Sequence, residues 1–315
     1  MTPASPEELT KNYNHTESGC VIIDRSEIGR LWAYGSNRLD VLQRLSTNDL
    51  TGMDLHEHRP TVLTTAVGRI VDLLTVLNLK ERALLLTSPG QSKAVQQWMQ
   101  RFIFFQDNIQ LKDATSDLKQ FGLYGAKAST IVAQLARVSS DLKPGRAHAL
   151  DDTVWLLRGA VPAGFGYEIV APPALEQSLI ERALDAGAIQ APSSLHELLR
   201  VEAGLPGAGH EIMETFLPLE VGLRHAVSFS KGCYTGQEVV ARLDTYNKVK
   251  QHLVGLRLDA AVLAGARVEV QQRSVGNVTS VARSPDLGCL ALAYVRTAHC
   301  DPGTAVVVQT ETADP

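Results

Sequence analysis

From Val249 onward the sequence changes period. LVGLRL (253–258), ARVEVQ (266–271), GNVTSVAR (276–283), CLALAYVR (289–296) and TAVVVQT (304–310) alternate or run apolar, with Gly, Pro or Asp at the breaks. Short strands with no helical stretch between them can bury their apolar faces only against one another. Residues 249–315 are therefore predicted as a small antiparallel barrel or sandwich.

Before that point the periods are mixed. GRLWAYG (Gly29–Gly35) reads as a strand, and Ser36 can cap a helix through SNRLDVLQRL, with Leu39, Leu42 and Leu45 on one face. RIVDLLTVLNL, after Gly68, reads as a buried strand; RALLLTSP is its antiparallel partner across a Lys80-Glu81 turn. Pro89-Gly90 opens an amphipathic helix carrying Val95, Trp98, Met99, Phe102 and Ile103 at core spacing. FGLYG (Phe121–Gly125) with the helix after Ser129 makes a second strand–helix unit, and the strands TVWLLRG and GYEIVAP precede the helix QSLIERALDAG. Ser194-x-x-Glu197 reads as a capping box opening SLHELLRVEAG. The expected division is a flexible segment at 1–20, an α+β region at 21–248 built of two interleaved subdomains, and the β module at 249–315.

Bulk properties narrow the partners. A net charge of −4 argues against a dominant electrostatic grip on nucleic acid or an anionic membrane, leaving small molecules and proteins. No apolar run approaches the ~18 residues a bilayer span requires. The N-terminus lacks an apolar signal core, and Cys20, Cys233, Cys289 and Cys300 form no CxxC pair, so a reducing cytoplasm is expected. With no Cys/His ligand spacing, a stably bound metal is not expected.

The chemistry-bearing stretch is KGCYTGQEVVAR, Lys231–Arg242. A thiol reacts as thiolate, and nearby cations or a helix N-terminus favour that form. Lys231 stands two residues from Cys233, Gly232 and Gly236 permit tight turns, and a helix reads from Gln237-Glu238 to Arg242. The same residues also suit a small buried cysteine with two turn glycines. Among the acids, Glu168 lies in an apolar strand where a carboxylate is costly unless it binds something, and Asp72 lies in another. Arg200 and Glu202, two apart on one helix, face different ways.

KGCYTGQEVVAR resembles the K-G-C-[FY]-x-G-Q-E-x-x-x-R signature of YgfZ-like proteins, which include a mitochondrial iron–sulfur assembly factor. More widely, the chain after about residue 20 resembles the aminomethyltransferase (T-protein) of the glycine cleavage system. GRLWAYGSNRLDVLQRLSTND, VGRIVDLL, GFGYEIV, LLRVEAGLP, FLPLEVGL and VGNVTSVARSPDLGCLALAYV occur in the family's order. The resemblance implies an α+β, multi-part, GcvT-like folate-binding fold around a central opening, with a C-terminal antiparallel β-barrel and a monomeric state. It implies tetrahydrofolate as cofactor, with Glu168 on the pterin's amino edge, Arg200 on the glutamate carboxylate, and Asp72 as a further contact. Cys233 and Lys231 would be the reactive pair, and Gly232, Tyr234, Gly236, Gln237, Glu238 and Arg242 the rest of the motif.

One departure bears on activity. Aminomethyltransferases resemble one another in a paired acid, G-G-x-x-D-D, where this chain has Asp72 followed by Leu73. The resulting expectation is a folate-binding accessory factor for iron–sulfur enzymes or their assembly proteins, and through them for tRNA thiolation. The alternative is a folate-dependent aminomethyl or methyl transferase. A cysteine hydrolase needs a base, and no histidine pairs with Cys233 in sequence.

Overall fold

The computed structural model of the 315-residue chain describes residues 5–136, 142–159 and 166–309. Helix α1 (Pro6–Ser18) and strand β1 (Val21–Asp24) are followed by β2 (Ile28–Tyr34), helix α2 (Arg38–Leu45), β3 (His58–Thr64) and β4 (Ile70–Asn78). Next come β5 (Arg82–Pro89), helix α3 (Ser92–Gln100), β6 (Gln110–Asp113), β7 (Lys119–Tyr124) and helix α4 (Ala128–Ala136). Strands β8 (Arg146–Ala149), β9 (Trp155–Arg158) and β10 (Gly166–Ala171), helix α5 (Glu176–Asp185), β11 (Ile189–Gln190) and helix α6 (Ser193–Glu202) complete the mixed part. Helix α7 (Gln237–Thr245) precedes β12 (Gln251–Leu258), β13 (Arg267–Val270), β14 (Arg273–Ser284), β15 (Gly288–Arg296) and β16 (Val307–Val308).

Two mixed-region sheets interlock through the chain path. Strand β1 sits in the sheet β11-β1-β7-β10-β9-β8, whereas β2 to β6 build the other, β3-β4-β5-β2-β6. Helices α2 and α3 cover one sheet with Val41, Leu42, Leu45, Val95, Trp98 and Met99; α4 and α5 cover the other with Ile131, Val132, Leu135 and Leu179. Between the sheets, Trp32, Leu84 and Leu86 pack against Trp155, Leu157 and Val170, with the two tryptophan rings edge to face at 5.5 Å. Each such side chain, taken fully out of water, contributes about 1.5–3 kcal/mol, so the seam is a strong joint. The β3 and β8 edges also meet, where His58 N donates to the Gly145 carbonyl and Ala147 N to the His56 carbonyl, both at 2.8 Å.

The C-terminal module is an all-antiparallel five-stranded sheet, β12-β15-β14-β13-β16. Val268, Val275, Val278, Ala291, Ala293 and Val295 form its core; β15 keeps strict alternation, whereas register shifts on either side let Val275 and Val278 of β14, three residues apart, both face inward. Helix α6 packs on β14 and ties the module to the rest. Among the described residues, no helix is long and apolar enough to cross a membrane.

Three local expectations are corrected. Residues 6–18, read as a loose lead-in, form α1, because Ser5 caps the Glu8 N–H at 3.2 Å, Pro6 starts the helix, and Tyr13 is buried. Ser5-x-x-Glu8 was the overlooked start signal. The Ser194–Glu197 box does not form: Pro192 occupies the cap position, and Glu197 instead pairs with Arg200 at 2.8 Å. Ser36 is not the cap of α2 either; Asn37 holds that place without a side-chain bond, and Ser36 accepts from Asn108. Gly164 and Phe165 of the GFGYEIV stretch lie outside the described residues.

Candidate functional site

The signature loop is pinned from both ends against α2 and the β3–β4 turn. Ser228 N donates to the Thr47 carbonyl at 2.9 Å and Thr64 Oγ1 to the Thr235 carbonyl at 2.5 Å. Lys231 Nζ donates to the carbonyls of Gln43, Ser46 and Asn48 at 2.5, 2.6 and 2.9 Å, closing the C-terminal end of α2, where free carbonyls attract a cation. Its ammonium also lies 5.0 Å from the centre of the Tyr234 ring, itself 8% exposed. Burial pulls Lys231 down to about 8, so at neutral pH the ammonium still dominates and makes these bonds.

These bonds bear on the pairing expected between Lys231 and Cys233. An ammonium has three N–H groups, and all three are spent on backbone carbonyls, leaving none for a thiolate. Cys233, two residues on, is exposed, whereas Cys20 is fully buried and Cys289 and Cys300 are half-buried. The glycines also divide. Gly236 sits at φ 82° at the start of α7 and touches the β3–β4 turn, but a side chain at Gly232 would meet nothing within 4 Å. Gln237 is half-buried in the first turn of α7, with Glu238 exposed beside it and Arg242 exposed in the last turn.

Asp72 is 1% exposed, and its carboxylate accepts Leu73 N at 2.9 Å and Ser88 N at 3.1 Å. Burial raises it to about 6, against the lowering effect of those bonds. Both of these donors belong to its own sheet. Arg200 is likewise committed. It is 4% exposed, donates to Glu197 Oε2 at 2.8 Å, Glu211 Oε2 at 3.2 Å and Ser280 Oγ at 2.9 Å, and so joins α6 to β14. Two carboxylates, those of Glu197 and Glu211, already lie against the guanidinium expected at a folate carboxylate. Glu211, fully buried, also accepts from Thr279 and Ser280, so the V-T-S segment is half of an inter-domain lock.

Glu168 is different. On β10 it shares a face with Val170, which packs against Trp32, Leu84 and Leu86 of the other sheet, while the neighbouring Tyr124 packs against Leu195, Leu198 and Leu199 of α6. The half-buried carboxylate therefore stands where the cover passes from one body to the other. Gln120 Nε2 donates to its Oε2 at 3.0 Å and the Tyr124 hydroxyl to its Oε1. Arg25 Nη1 donates to the Tyr124 oxygen at 3.2 Å, and the His196 ring lies 5.8 Å from the Tyr124 ring. Sequence reading found Glu168 but missed Arg25, Gln120, Tyr124 and His196; only the polar Tyr124 inside FGLYG hinted at them.

No hydrogen bond or ion pair among the described residues joins Cys233, Glu168, Asp72 and Arg200 to one another. No group of three or more His, Cys, Asp or Glu residues is placed to hold a metal ion among the described residues.

Residues 4–231 match the GCVT N-terminal domain, and residues 251–314 the glycine cleavage T-protein C-terminal barrel domain. A chloroplastic protein of Arabidopsis thaliana with a provisional transferase name is 30% identical over 93% of this chain and 69% of its own length. The aminomethyltransferase of Symbiobacterium thermophilum is 30% identical over 97% of this chain and 86% of its own. The crystal structure of the glycine cleavage system aminomethyltransferase T from Bartonella henselae superposes with a TM-score of 0.90 at 22% identity, covering 99% of this chain and 88% of that one. With two domain matches in the order the three sheets are built, the chain belongs to the glycine cleavage T-protein (aminomethyltransferase) family.

Proposed function

We propose that this T-protein family member is a tetrahydrofolate-binding accessory factor of the YgfZ-like branch, supporting iron–sulfur enzymes or their assembly proteins through Cys233. The observation that carries the reading is the contrast within one loop. Lys231, Tyr234 and Gly236 are fastened to the protein, and Cys233 between them is exposed. An anchored loop presenting one thiol suits transient contact with a sulfur or cluster partner. Iron–sulfur enzymes are the clients on this reading, and tRNA thiolation follows through them. A reducing cytoplasm is where such a thiol persists.

Glu168 fits a folate. Each of its carboxylate oxygens accepts one protein donor and keeps a free lone pair, and the half-buried group stands on the same strand face as the apolar Val170. Tetrahydrofolate bound there supplies a one-carbon carrier. Against turnover of an aminomethyl group stands Asp72: it has no second acid beside it and points its carboxylate at backbone N–H groups.

The test uses a host lacking this gene, expressing wild type or Cys233→Ala, with the specific activity of a [4Fe–4S] enzyme as readout. Restoration by wild type alone supports the reading; equal restoration by both removes the thiol from it. The transferase alternative, which the names of the relatives favour, predicts methylene-tetrahydrofolate from tetrahydrofolate and an aminomethyl-lipoyl donor.

A further inference from the structure

Strand β7 carries Gly122 directly opposite Glu168 of β10. Gly122 has no side chain, and the Tyr124 hydroxyl folds back into the space that a Cβ there would fill. The tyrosine thereby delivers its hydroxyl to Glu168 across the ladder. Arg25, just past β1, reaches the Tyr124 hydroxyl oxygen with Nη1 at 3.2 Å, while its Nε holds Glu27 at 2.8 Å.

Proton bookkeeping fixes what this chain of groups does. A guanidinium only donates, so the Tyr124 oxygen is an acceptor toward Arg25 and its single proton points to Glu168. Gln120 points its amide N–H at the other carboxylate oxygen. Glu168 thus receives one donor on each oxygen, and one lone pair on each remains. We propose that Arg25 and Tyr124 are positioning and specificity residues of the Glu168 site, fixing its carboxylate as a paired acceptor for a ligand edge with two N–H donors. That edge is the N3–H and 2-amino group of a 2-amino-4-oxopterin. The inference rests on the folate reading above and adds the residues that select the edge.

The groups facing Glu168 are consistent with this. Arg25 and Tyr124 approach from β1 and β7, Gln120 from β7, and the His196 ring from α6, with Glu27 beyond Arg25. Burial, reinforced by the Glu168 charge, raises Tyr124 well above the ordinary phenol range, so the hydroxyl keeps its proton. Burial lowers His196, so near neutral pH its ring brings no competing cation.

The experiment measures affinity for tetrahydrofolate and for its 2-desamino-2-methyl analogue in the wild type, Tyr124→Phe, Arg25→Met and Arg25→Lys, with thermal melting as the folding control. Wild type is expected to prefer tetrahydrofolate. Tyr124→Phe and Arg25→Met should each lose about tenfold for tetrahydrofolate, the scale of one hydrogen bond to a charged group. Both should bind the analogue as wild type does, so the preference shrinks, and Arg25→Lys should recover part of it. Phe keeps the buried ring, so Tyr124→Phe reads the hydroxyl alone even if Arg25→Met folds poorly. If wild type binds tetrahydrofolate but folded variants keep its full preference, the positioning role is wrong while the folate reading survives. If wild type binds no tetrahydrofolate, both fall.

Discussion

Gly236 and Gly68 meet backbone to backbone: a methyl group on Gly236 would lie 3.0 Å from the Gly68 Cα and nitrogen, and closer still to the Thr65 carbonyl oxygen. Both glycines are left-handed, at φ 82° and 75°. The contact fastens the start of α7 to the β3–β4 turn, and with it the loop that displays Cys233.

Gly236→Ala should therefore destabilise the protein by at least about 2 kcal/mol, combining a left-handed alanine with a backbone clash. Gly232→Ala, with open space around it, should stay within about 0.5 kcal/mol of wild type. Urea denaturation of the two variants checks this. Equal losses would mean the loop is held some other way.

Much of the architecture was legible because it is written in periods. The alternation after Val249 gave the antiparallel module, and the mixed periods before it gave the α+β region. What stayed hidden was side-chain commitment. Lys231, Asp72 and Arg200 all looked available in sequence, yet each has protein partners, and those of Lys231 and some of Arg200 lie far away along the chain. Arg200 meets Ser280 across 80 positions, and Lys231 meets Gln43 across 188. Glu168 could be singled out because a carboxylate in an apolar strand is costly wherever that strand packs. Arg25 could not, because only the pairing of β1 with β7 brings it to the Tyr124 hydroxyl that Glu168 accepts from.

The cysteines should separate sharply by reactivity. Under brief iodoacetamide treatment of native protein, Cys233 should be alkylated first, read by peptide mass spectrometry. Cys20 should remain unmodified, being fully buried with burial pushing its thiol up to about 12. Labelling of Cys289 or Cys300 ahead of Cys233 would contradict the presentation of the signature thiol.

Asp72 gives a pH signature of definite sign. Its folded pKa, about 6, lies above the ~3.9 of an unfolded aspartate, so the folded state binds the proton more tightly. Its contribution is thus full below about pH 4 and is lost as pH rises toward 6. Asp72→Asn should remove that downward component: its stability across pH 4–6 should fall less, or rise more, than that of wild type. Identical slopes for the two proteins would show that Asp72 titrates alike in both states.

Arg200 provides the sharpest separation between a structural and a ligand role. Removing one partner of a buried ion pair strands the other charge, at a cost of about 3–5 kcal/mol. Arg200→Met should approach that loss, because it leaves the fully buried Glu211 unpaired, whereas Glu211→Gln, where Arg200 keeps Glu197, should lose less, and the double variant should lose less than the sum of the two. Since Glu211 also holds Thr279 and Ser280, amide hydrogen exchange should quicken along β14 in either single variant. Had Arg200 instead been held free for a folate carboxylate, Arg200→Met would weaken tetrahydrofolate binding and leave stability and β14 exchange unchanged. Measured together, denaturation and exchange decide between a lock and a ligand clamp without reference to activity.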